Sequence, residues 1–107
     1  MNGTTFAIKR NDTGYALQYA LSPVTDLTGA SVVFTMADVG GTKVIDRRAA
    51  TIVSPPTSGI VQHNWLAGDT ATAGTFSGEF EITFPSGQVI TFPNQRNITI
   101  KIAPDLG

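Results

Sequence analysis

The sequence predicts an all-β fold: an antiparallel sandwich or barrel of short strands. Three observations carry that expectation. Apolar residues recur with period two rather than 3.6 in nearly every segment. Runs of strand length are separated by clusters of Gly, Pro, Asn and Asp. No stretch holds a convincing helical pattern. With 107 residues there is room for one domain, 1–107, around one core.

The elements follow in order. In "TTFAIKR" Phe6 and Ile8 share a face. "NDTG" turns the chain into "YALQYAL", where Tyr15, Leu17, Tyr19 and Leu21 line one side and Gln18 the other. After "TDLTG", the run "SVVFTMA" places Val32, Phe34 and Met36 together. A weaker pair, "KVID" and "AATIV", lies between Lys43 and Val53. "SPPTSG" precedes "GIVQHNW", with Val61, His63 and Trp65 on one face. "TFSGEFEITF" aligns Phe76, Phe80, Ile82 and Phe84. "PSG" closes a hairpin onto "QVITF". "NITIKI" ends the series with Ile98, Ile100 and Ile102 in register. Between Trp65 and Phe76 the loop "LAGDTATAGT" holds room for one helical turn capped by Asp69 or Thr70. Its expected roles are architectural, with Leu66 and Ala71 tucked beneath it and Asp69 and Thr70 satisfying local amides.

Composition narrows the function classes. Only 14% of residues are charged and the net charge is −1, which offers no electrostatic footprint for nucleic acid or an anionic membrane. No run of apolar residues is long enough to span a bilayer, and the start "MNGTTFAIKR" lacks a secretory pattern. Cysteine is absent, so disulfide and thiolate chemistry are excluded. A surface of Thr, Ser, Asn, Gly and apolar side chains is cheap to desolvate and suits burial against protein neighbours.

Candidate catalytic groups are few. Glu79 and Glu81 project from one strand face about 6.5–7 Å apart, the spacing of an inverting glycosidase pair. Their face is opposite the Phe76–Phe80–Ile82–Phe84 stripe, so solvent would hold both carboxylates alike. His63, the sole histidine, sits with Val61 and Trp65 and reads as a packed or interface residue. "GTFSG" around Ser77 lies on a strand, not on the strand-to-helix elbow that a serine nucleophile needs. One His, no Cys and scattered acids make a poor metal site, and no cofactor is expected. Trp65, Tyr15 and Tyr19 would serve as sugar platforms only if exposed, yet all three fall on core stripes. The chain is expected not to be an enzyme.

The order of these pieces resembles the immunoglobulin-like N-terminal domain of bacteriophage baseplate upper proteins. "FAIKRNDTGYALQYAL" is similar to that family's opening strand, turn and second strand. "DLTGASVVFTMAD" at 26–38 resembles its Leu-Thr-Gly-led strand. "GIVQHNWLAGDTATAGTFSGEFEITFPSGQVITFP" at 59–93 and then "NITIKI" resemble its later strands. The resemblance implies an immunoglobulin-like sandwich of about seven to nine strands. It also implies a structural virion protein of tail, baseplate or neck, assembled in the host bacterial cytoplasm. Such a protein would dock other virion subunits in multiple copies, without nucleic acid or membrane. Family members usually continue into a long helix and further domains, which are missing after Gly107, so the expectation is an attachment domain alone. A carbohydrate- or host-surface-recognition module is the alternative. The expected interface lies on the edge strands Thr4–Lys9 and Asn97–Ile102, through Thr4, Thr5, Lys9, Asn97, Thr99 and Lys101.

Overall fold

A computed structural model describes residues 5–93 and 97–104. Nine strands form: β1 Thr5–Lys9, β2 Leu17–Ala20, β3 Ser31–Asp38, β4 Lys43–Ala49, β5 Thr51–Ile52, β6 Ile60–His63, β7 Gly74–Thr83, β8 Val89–Phe92 and β9 Ile98–Ala103. A single 3₁₀ turn, Pro56–Ser58, is the one helical element among the described residues. The larger sheet runs β1-β9-β7-β3-β4, with β8 also on β7; the smaller runs β2-β6-β5. The two inner faces make the sandwich core.

Every run read as extended forms a strand, because each alternating stripe has a sheet to bury it. Phe34, Met36, Phe80, Ile82, Ile98 and Ile100 from the larger sheet and Leu17 and Val61 from the smaller are fully buried. Phe34 and Phe80 face each other across β3 and β7 with ring centroids 4.9 Å apart. Gly78 completes the packing by absence: a Cβ there would lie 2.7 Å from Ile100 Cδ1 and 2.9 Å from Phe34 Cζ.

Two departures from the expected antiparallel plan matter for function. First, β1 pairs with β9 in parallel, Thr5 opposite Thr99 through Lys9 opposite Ala103. β9 is therefore held on both sides, by β1 and by β7, so of the two strands expected as edges only β1 is one. Second, "KVID" does not stop before the arginines. β4 continues through Arg47 and Arg48 to Ala49, and the chain then passes to the smaller sheet at Thr51. Arg47 has φ 50, and the register against β3 shifts between Phe34 and Met36. This is a β-bulge, an extra residue on one strand that reverses the alternation beyond it.

Candidate functional site

The bulge decides where two neighbouring arginines point. Ile45 lies opposite Met36 and is buried. Simple alternation from there would send Arg47 inward and Arg48 outward. With one residue inserted, Arg47 stays on the outer face, where its amide bonds Thr35 Oγ1 at 3.1 Å and its guanidinium pairs with Glu81. Arg48 comes opposite Phe34, on the inner face, and its Nη1 donates to Asp69 Oδ2 at 2.6 Å.

Asp69 arrives from the loop after β6. Successive turns from Leu66 to Ala71, with Asp69 N donating to Leu66 O at 3.0 Å and Ala71 N to Gly68 O at 3.3 Å, fold it back under itself. Gly68 allows this at φ 93. The Asp69 carboxylate accepts the Leu66 amide at 2.7 Å, the local amide that the sequence assigned it, and Arg48 besides. The hydrophobic half of that expectation fails. Leu66 and Ala71 are exposed, and the polar residues Asp69 and Thr70 are tucked beneath the loop instead. Thr70 satisfies no local amide among the described residues: its Oγ1 donates to Asp12 O at 3.0 Å, tying the loop to the turn after β1.

His63 ends β6 on the inner face with 1% of its surface exposed. Its ring stacks on Phe34 at 4.4 Å and meets Trp65 edge-on at 4.5 Å. Nε2 lies 3.5 Å from Asp69 Oδ2, at the outer limit of a hydrogen bond, and has no other partner among the described residues. Burial keeps the imidazole neutral and lowers its pKa to about 4. Arg48 pushes in the same direction and the Asp69 carboxylate opposes it.

The chemistry open to this cluster is limited. His63 is sealed from any substrate by Phe34 and Trp65. Two donors 3.5 Å apart suit adjacent ligands of a metal, but Oδ2 already holds a guanidinium and an amide, and Arg48 repels a cation. No group of three His, Cys, Asp or Glu comes together among the described residues. The cluster joins strand β4 of one sheet to the end of strand β6 of the other. It is a latch across the sandwich.

The remaining sequence candidates fall elsewhere. Glu79 and Glu81 occupy the outer face of β7, opposite Thr35 and Val33 on β3 and away from His63. Trp65 is buried in the core and stacks on Phe6 at 5.7 Å; Tyr19 is half-buried against Phe80 at 6.3 Å. Tyr15 is a correction. It is 74% exposed, because β2 begins only at Leu17 and Tyr15 belongs to the turn before it. Of the expected interface residues, Thr5, Lys9, Thr99 and Lys101 stand on the outer face of the paired β1–β9 margin, Asn97 is exposed just before β9, and Thr4 lies outside the described residues. Beside that margin a shallow, mostly apolar cleft of about 290 Å³ is lined by Ala7, Ile8, Lys9, Asp12, Tyr15 and Ala103.

No protein-family model matches the chain, and no curated protein is similar to it in sequence. Among solved structures, the crystal structure of CopC from Methylosinus trichosporium OB3b is similar. The TM-score is 0.58 at 8% identity, over 98% of this chain and 89% of that one. At such identity the likeness shows the fold, a β-sandwich, and nothing finer. It overturns the resemblance to the baseplate family. The blocks quoted for that resemblance are strand and turn patterns, which do not by themselves distinguish one family of β-sandwich from another. The virion role, and the tail, baseplate or neck placement that came with it, fall too.

Proposed function

We propose that the chain is a non-catalytic β-sandwich module that binds another protein by accepting an extended segment as an added strand along β1. The observation that carries this reading is the contrast among strand edges. β4 is bulged and charged, with Lys43 and Asp46 paired at 3.8 Å. β2 and β8 have four residues each and β5 has two. Short or bulged edges resist pairing. β1 is regular over five residues, free of register shifts, and lies beside the apolar cleft.

Its hydrogen-bonding direction supports the same reading. Arg10 N donates to Ala103 O on β9 at 2.7 Å. Because amides alternate along a strand, those of Phe6 and Ile8 also point to β9, and those of Ala7 and Lys9 point outward. Outside β9, these two amides have no backbone partner among the described residues. A metal site is no part of this reading, because the Asp69 carboxylate beside His63 is already paired with Arg48.

The test uses Ala7→Pro, which removes an outward donor and leaves the bonds to β9. In a titration with extended peptides, Ala7 and Lys9 amides of the native chain become protected from hydrogen exchange. The folded variant binds none of them. Peptides that bind without protecting these amides would overturn the reading.

A further inference from the structure

Resting on that reading, we infer that the segment β1 accepts alternates apolar with acidic residues. The register places Thr5, Ala7 and Lys9 of β1 and Thr99, Lys101 and Ala103 of β9 on one outer face, with Lys101 opposite Ala7 and Lys9 opposite Ala103. Two ammonium groups therefore stand two rungs apart on the same face, among small side chains. Lys43, Arg47 and Arg48 are each paired with an acid, whereas Lys9 and Lys101 form no ion pair among the described residues. The unpaired lysines of the described surface thus stand together beside the regular β1 edge.

An added strand lies about 4.8 Å beyond β1. Its outward side chains would sit next to Lys9, and a glutamate is long enough to meet the Lys101 ammonium over Ala7. Its inward side chains would extend the stripe of Phe6 and Ile8, and its outward ones would lie beside the Ala7, Lys9 and Ala103 part of the cleft wall. Asp12 bounds the cleft beyond Lys9, so the acidic positions are those opposite Ala7 and Lys9 and extend no further. A basic segment is rejected by the same two cations.

Three nine-residue peptides test this, valine alternating with glutamate, threonine or lysine, titrated at low salt and followed by amide exchange and chemical shift. The glutamate peptide is expected to bind about tenfold more tightly than the threonine peptide, an advantage that shrinks in 0.5 M salt, and the lysine peptide least well. In Lys9→Glu/Lys101→Glu the order of glutamate and lysine peptides inverts. In Lys9→Met/Lys101→Met the three converge. Equal affinities with Ala7 and Lys9 protected would sink the acidic preference and leave strand addition standing. No protection by any peptide would sink both. A concentration-dependent dimer in sedimentation that protects the same amides would assign the edge to a second copy and overturn the acidic partner.

Discussion

The two ends of this sandwich use basic side chains in opposite ways. Where the β4 bulge meets the loop after β6, Arg48 is turned inward onto Asp69, beside a histidine kept neutral by burial. At the β1–β9 margin, Lys9 and Lys101 stand on regular strands and form no ion pair among the described residues. A charge brought into the interior needs a partner held in place, and here the partner joins the two sheets. A charge left outside contributes almost nothing to the fold and remains available to another molecule. The first region is what stability experiments will feel, and the second is what binding experiments will feel.

The largest expected effect lies at the centre of the first region. Phe34 touches His63, Phe80 and Trp65 and is fully buried. Phe34→Ala is expected to cost about 3–5 kcal/mol in urea unfolding, through lost burial and the cavity left behind. A smaller loss would mean that the core there collapses around the gap.

Acid comes next. His63 has a folded pKa of about 4 against 6.5 for the free side chain, so the unfolded chain takes up the proton first. The stabilisation from keeping it neutral is complete above pH 6.5 and is lost as pH falls toward 4. The slope is at most about 1.4 kcal/mol per pH unit, ~3 kcal/mol across the window. His63→Phe keeps the ring stack and should flatten unfolding free energy over that range relative to the native chain. An unchanged slope would show that other groups set the acid response. Below this stands Asp69→Asn, which weakens the latch without emptying it. With Arg48 34% exposed and able to recover some water, the expected loss is about 2 kcal/mol.

Much of the fold could be read from the chain, for a physical reason. Period-two stripes such as Ile98–Ile100–Ile102 must be buried on one side, whichever topology is adopted, so strand positions and core faces were legible. The latch was not. His63 and Trp65 were correctly read as packed, but nothing in "DRRAAT" announces a bulge, and without it Arg48 points to solvent. The run Lys43–Ala49 carries a signal in retrospect: Ile45 inward and two charged residues before Ala49 fit no unbroken alternation. Strand order was equally hidden. Local pattern says nothing of the parallel β1–β9 pairing, which is why β9 was expected to be an edge. The baseplate resemblance failed at the same level, because turn and strand spacing records the plan of a sandwich and not its ancestry or its work.

The smallest effect sharpens the comparison most. Lys9→Ala removes a charge that no described residue answers, from an exposed position in β1. Its unfolding free energy should stay within about 0.5 kcal/mol of the native chain at low and high salt alike. Arg47→Ala, which breaks an exposed pair with Glu81, should cost no more than about 1 kcal/mol, and less as salt is added. If Lys9→Ala instead destabilised the fold as Asp69→Asn does, the margin would belong to the interior's own electrostatics. The separation of latch from binding edge would then be lost. If stability holds while glutamate peptides bind several-fold more weakly, Lys9 belongs to the partner's side of the energetics, where the absence of an ion pair to it among the described residues places it.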